Sequence, residues 1–173
     1  MRVKSLACAF VLLAGFGAAQ AQELARNLAA DAQAAAQQGK PLLLFVTQPG
    51  CAYCERARRE YLRHLAVDPA YTTRVVLREL SIDASVTGFD GKRSSGLAAA
   101  RALKVRLYPS IVLVGAAGSP VAPLLAGFTV PDFYAAQIDG RIEAAETRLA
   151  AQRNGSDTGS DTNGAFTNAG EGK

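Results

Sequence analysis

Cys51 and Cys54 carry the chemistry most easily read from this chain. They are spaced C-x-x-C in the stretch Phe45-Val46-Thr47-Gln48-Pro49-Gly50-Cys51-Ala52-Tyr53-Cys54. The apolar run Leu42 to Val46 predicts a strand buried on both faces, and Pro49-Gly50 predicts the turn that ends it. Beyond the turn, Cys54, Ala57, Tyr61, Leu62 and Leu65 share one helical face, while Glu55, Arg56, Arg59, Glu60 and Arg63 cover the other. Cys51 therefore stands at a helix N-terminus, where free backbone N–H groups and the helix dipole favour thiolate over thiol. Cys54 follows one turn later on the same side, within reach of the Cys51 sulfur. Such a pair is a reactive dithiol.

The competing uses of two cysteines are a plain structural disulfide and half of a metal site. A bridge across two residues closes a very small loop and stabilises little by loop entropy. A zinc site takes about four ligands, and the chain offers only Cys8 and His64 besides the pair. His64 lies well off the cysteine face and is expected to be a solvated surface histidine. No metal and no cofactor is expected.

These residues need a scaffold and a compartment. Arg2 and Lys4 form a basic start, residues 6–17 an apolar core, and Ala19-Gln20-Ala21 a small-residue cleavage site, the layout of an export signal over residues 1–21. Its loss shortens 173 residues to 152, takes Cys8 with it, and lowers the 19 basic side chains to 17 against 15 acidic. A lipidated cysteine would follow the apolar core, not sit within it. The near-neutral balance argues against nucleic acid as a partner. From Arg153 the chain turns to Asn, Gly, Ser, Asp and Thr, with Gly155-Ser156-Asp157-Thr158 repeated as Gly159-Ser160-Asp161-Thr162, and is expected to be a disordered tail over 153–173. Residues 22–152 are left as one domain.

Within that domain a helix is expected over Glu23 to Gln38, stopped by Gly39 and Pro41, and the motif helix over Cys51 to Val67. A second strand is expected over Arg74 to Asp83, parallel to the first through a right-handed crossover. A polar loop over 84–95, a short helix over Gly96 to Leu103 and a strand opened by Tyr108-Pro109 follow. A Gly115–Gly118 turn then leads to an edge strand over Val121 to Leu125, limited by Pro120 and Pro123, and an amphipathic helix closes the domain.

The order of elements, Cys51-Ala52-Tyr53-Cys54, the Tyr108-Pro109 step before a strand and Gly127 after the last strand together resemble the thioredoxin superfamily across nearly all of residues 22–152. Phe89-Asp90-Gly91-Lys92 and Ala126-Gly127-Phe128 look most like exported bacterial thioredoxin-like proteins, including those associated with sulfur oxidation. The resemblance implies a three-layer α/β fold, a mixed central sheet of about four strands flanked by helices. It implies Cys51 as attacking thiolate, Cys54 as resolving thiol, and Pro109 as a cis-proline lining the substrate groove, with the Tyr108 ring presented there. Phe45 stands where many relatives place a buried acid, the chain has no Trp, and Ala-Tyr separates the cysteines. Glu79 falls where relatives carry a lysine near that acid. It is a candidate proton acceptor for Cys54; its alternative is a solvated strand-edge residue paired with Arg78 or Arg74.

The expected function is an exported, periplasmic thiol–disulfide oxidoreductase, a monomer acting on protein or small-molecule disulfides and dithiols. The bare domain, without the long helical insertion of strong oxidases, tilts the direction toward reduction, with electrons from a membrane donor. The alternatives are a Cu(I)-binding module on the same fold, poorly served by one histidine and no methionine after cleavage, and a non-catalytic partner-binding domain.

Overall fold

In a computed structural model of the chain the structure describes residues 23–157. The expected export signal and the tail beyond 157 lie outside the described residues. Leu42–Thr47 forms strand β1, buried at every position. Its alternate residues feed two cores. Leu43 and Phe45 face one, with Cys51, Cys54, Ile111 and Leu113; Leu42, Leu44 and Val46 face the other, with Leu28, Val112 and Val114. That two-sided burial explains the unbroken apolar run.

β1 is central. It pairs in parallel with β2 (Val76–Ser81) and antiparallel with β5 (Ser110–Val114), which pairs antiparallel with β6 (Leu125–Ala126). The sheet is mixed and four-stranded, in the order β2-β1-β5-β6. The first core is covered by α2 (Ala52–Ala57), a π-helical turn over Arg58–Leu62, α3 (Arg63–Leu65) and α6 (Tyr134–Asp157). The second is covered by α1 (Leu28–Gln37) and α5 (Gly96–Ala102). Helices on both faces of this sheet give the three-layer α/β architecture expected. The short α4 (Pro69–Thr72), capped by the Asp68 side chain, leads into β2.

Several elements differ from the sequence expectation. The first helix begins at Leu28, not Glu23, because residues 23–27 find backbone partners on the free edge of β2. The Glu79 N–H donates to the Glu23 carbonyl at 2.9 Å and the Ala25 N–H to the Glu79 carbonyl at 2.8 Å. Asn27 then caps the helix by accepting the Ala30 N–H at 3.1 Å. The expected polar loop over 84–95 contains a two-stranded ladder, β3 (Ser85–Thr87) with β4 (Arg93–Ser95). The edge strand expected over 121–125 contracts to β6 and a single bridge of Val114 to Pro120, since each proline removes a ladder donor. The closing helix runs to Asp157, five residues past the expected boundary at 152, because extending a formed helix needs no new nucleus.

Two glycines are required by close approach. A Cβ at Gly96 would lie 2.0 Å from the Ser81 carbonyl oxygen, so only glycine lets α5 start against the end of β2. At Gly118, with φ of +76°, a Cβ would fall 2.3 Å from the Phe89 ring.

Candidate functional site

Strand β1 delivers the chain to Gln48-Pro49-Gly50, which is exposed, and the next residue opens α2. Cys51 is the N-cap: its backbone is extended (φ −85°, ψ 101°) and its Sγ accepts the Cys54 N–H at 3.0 Å. A sulfur is thus placed on one of the N–H groups that the first turn of a helix leaves unpaired. Cys51 and Cys54 form a disulfide, with Cα atoms 5.2 Å apart. The two are not equally accessible. Cys51 is 8% exposed and Cys54 1%, so the first residue is the more open of the two. The face expected to be buried behind them is buried at Cys54, Ala57, Leu62 and Leu65, with Tyr61 half-buried, and His64 is exposed.

Tyr108 and Pro109 reach the same end of the sheet. Ser110, the first residue of β5, pairs with Val46 near the end of β1 that runs into the motif, and with Ala126 just before Gly127. The Tyr108–Pro109 bond is cis, as the family resemblance implied. Pro109 is buried, and its carbonyl accepts the Gly127 N–H at 2.8 Å. Tyr108 is half-buried and packs against both cores. Tyr53, between the two cysteines, is 63% exposed, and Leu107, just before the Tyr108–Pro109 step, is 60% exposed.

Glu79 is buried, and its partners are not the ones foreseen. In register with Phe45 on a parallel neighbour, it sits on the face of the sheet that carries the motif helix. Its carboxylate accepts Arg58 Nε at 3.0 Å, a second hydrogen bond from the Arg58 guanidinium, and the Thr47 hydroxyl at 2.9 Å. Arg58 also pairs with Glu55 and lies 5.8 Å over the Phe45 ring. Its hydrogen bonds, to Glu79 above all and then to Glu55, hold the guanidinium above its ordinary range despite burial. Arg78 instead meets Asp31 and Glu23, and Arg74 meets Asp139 and Glu146. At position 45 this chain has an aromatic ring covered by the partly buried Arg58–Glu79 ion pair. Arg58 and Thr47 escaped the sequence reading; Arg58 lies four residues after Cys54 and three after Glu55, a spacing that already favours contact along a helix.

An aromatic cluster ties the motif helix to the segment after β6. Tyr134 packs edge-on against Tyr61 at 5.3 Å and Phe128 at 4.7 Å between ring centroids. The Tyr61 hydroxyl donates to the Pro131 carbonyl at 2.7 Å, and Arg56 lies 5.4 Å over the Phe128 ring. The Tyr134 hydroxyl is fully buried without a hydrogen-bond partner, and burial pushes it well above the ordinary phenol range. Among the described residues no group of three or more His, Cys, Asp or Glu side chains could hold a metal ion.

A sheet of this topology with a bonded C-x-x-C pair at a helix N-terminus defines a thiol–disulfide oxidoreductase of the thioredoxin fold. The sequence family described as a thioredoxin-like domain matches residues 28–141, and the chain belongs to that family. No curated protein sequence matches the chain. Among solved structures it is similar to a DsbH oxidoreductase, at 16% identity over 79% of this chain and 95% of that one, with a TM-score of 0.51. A chain of the ferredoxin:thioredoxin reductase–thioredoxin f2 complex matches at 18% identity over 71% and 96%, with a TM-score of 0.50. The periplasmic thioredoxin SoxS from Paracoccus pantotrophus matches at 20% identity over 61% and 99%, with a TM-score of 0.43.

Proposed function

We propose that this protein is an exported reductase of disulfides, with Cys51 as nucleophile and Cys54 as resolving thiol. The asymmetry of the pair supports these roles: Cys51 is the more exposed residue, and its sulfur sits at the helix start on the Cys54 N–H. In the reduced protein the Cys51 thiolate attacks one sulfur of a substrate disulfide. The substrate S–S bond breaks, one substrate sulfur leaves as thiolate and takes a proton, and a mixed disulfide to Cys51 remains. Cys54 then loses its proton and attacks the Cys51 Sγ. The second substrate thiol departs, the substrate has gained two electrons, and the Cys51–Cys54 disulfide has formed.

The remaining roles belong to the same proposal. Tyr108 and Pro109 would contact the substrate chain, supported by their position at the motif end of the sheet. Glu79 would take the Cys54 proton, supported by its burial on the motif face; doing so requires it to give up part of its hold on Arg58. Export rests on the pattern of residues 1–21, with a domain from residue 22 to the end of α6 and a tail after it. The reductive direction is supported by the segment between β2 and α5, which holds a short hairpin and no helical insertion. The substrates would be protein or small-molecule disulfides, met by a monomer, and a membrane dithiol partner would return the two electrons.

The test is a trap. With Cys54→Ser the mixed disulfide cannot be resolved, so covalent adducts through Cys51 should accumulate with disulfide-bearing proteins and disappear on reduction. Cys51→Ser should form none. Absence of adducts from Cys54→Ser would leave a Cu(I)-binding or non-catalytic domain as the function.

A further inference from the structure

The charge on this chain is unevenly distributed in a way that its small net value conceals. Between Gly91 and Pro131 there is no Asp or Glu, yet Lys92, Arg93, Arg101, Lys104 and Arg106 all fall there. Elsewhere the half-buried arginines are matched to carboxylates: Arg58 to Glu55 and Glu79, Arg74 to Asp139 and Glu146, Arg78 to Glu23 and Asp31. Arg101, Lys104 and Arg106 are exposed, and among the described residues none of them forms a salt bridge. Asp83, on the turn that meets the start of α5, instead accepts the Ser81 hydroxyl.

Two of these cations frame a cavity. Leu97, Arg101, Val105, Arg106 and Tyr108 line a space of about 340 Å³ beside the Tyr108–Pro109 step. Tyr108 is thus shared between the cavity and the end of the sheet that carries Cys51. A substrate chain lying against Tyr108 and Pro109 would run onto Arg101 and Arg106, with Lys104 close in sequence. The lining of the cavity is made by two arginines, a tyrosine, Leu97 and Val105, with no carboxylate residue among them.

We propose that this basic cavity is a specificity site for acidic residues flanking the substrate disulfide, so that the protein prefers polypeptides carrying Asp or Glu beside the bond it reduces. The proposal rests on the exchange chemistry described above. Exposed ion pairs of this kind are individually weak and screened by salt, so their contribution should be modest and dependent on ionic strength. Their effect is on encounter and orientation more than on the chemical step.

The experiment uses three disulfide-bonded peptides identical except that the residues flanking the cystine are Glu, Gln or Lys. At low salt kcat/KM for the Glu peptide should exceed that for the Gln peptide about fivefold, two exposed pairs each being worth about twofold to threefold. The Lys peptide should fall below both. The preference should shrink toward unity at about 0.5 M salt and in the Arg101→Gln/Arg106→Gln variant, while Arg148→Gln, at an exposed arginine on α6, should retain it. Equal rates for the Glu and Gln peptides, or a preference that survives the double variant, would overturn the specificity site and leave the exchange chemistry standing. Reduction of none of the three would overturn both.

Discussion

Replacing Arg58 by Met gives the sharpest test of how the motif helix is anchored. Arg58 is 20% exposed at its side chain and Glu79 8%, so the pair is largely out of water. Removing one partner of a fully buried pair costs about 3–5 kcal/mol, because the other charge is left uncompensated. The residual exposure of Arg58 lets water reach the Glu79 carboxylate, which brings the expected loss to about 2–3 kcal/mol. Thr47 remains as a donor to that carboxylate. Arg56 and Glu60, on the same helix but 46% and 35% exposed, supply the control: Arg56→Met should cost about 0.5 kcal/mol from the lost pair, plus whatever its stacking on Phe128 contributes. Exchanging both charges, Arg58→Met with Glu79→Leu, should recover most of the loss, since an apolar pair of similar volume does without the desolvation penalty. Urea denaturation of the disulfide form reads all three. An Arg58→Met loss below about 0.5 kcal/mol at unchanged m-value, or a double variant no better than the single, would refute the anchoring role.

The other expectations concern the same end of the molecule. Alkylation of the reduced protein at mildly acidic pH should label Cys51 before Cys54, because only Cys51 has the helix N-terminus to lower its pKa below the ~8.5 of a free thiol; equal labelling would remove the distinction between nucleophile and resolver. Glu79→Gln keeps the shape of the side chain and removes a proton acceptor, so resolution of the mixed disulfide should slow; an unchanged resolution rate would confine Glu79 to anchoring Arg58. Tyr134→Phe deletes a buried hydroxyl without a partner and should be neutral or stabilising by about 1 kcal/mol. The raised pKa of Tyr134 means that ionising the phenol opposes folding, so this residue costs no pH-dependent stability below ~10 and progressively more as pH rises above that value. The variant should accordingly lose less stability between ~pH 9 and ~pH 11 in thermal melts; a loss equal to that of the parent would contradict the sign.

Local chemistry was legible in the sequence, and tertiary compensation was not. The apolar run at Leu42 to Val46 and the C-x-x-C that follows placed β1, the turn and Cys51 correctly, because each signal lies within a few residues. Helical periodicity likewise found the buried face through Cys54, Ala57, Leu62 and Leu65. Residues 23–27 were read as helix because the alanine-rich composition of the span Glu23 to Gln38 was extended back over them; the free edge of β2, more than 50 residues away, supplies the backbone partners that hold them extended. Asn27 was the local signal of a later start, as a side chain able to cap. The ladder of Ser85–Thr87 with Arg93–Ser95 was hidden by its polar composition, although Asp90-Gly91 marked its turn. Glu79 was singled out, but its partner could not be, since Arg58 is 21 positions distant and the two meet only through the parallel register of β1 with β2.

The reductive role is tested most directly by equilibrating the protein with glutathione redox buffers and following the Cys51–Cys54 pair by alkylation. A single two-electron transition should appear, at a potential more reducing than about −200 mV, on the thioredoxin side of the scale. A transition near −120 mV, where strong oxidants lie, would reverse the proposed direction. No transition between dithiol and disulfide at any buffer ratio would contradict the exchange chemistry itself.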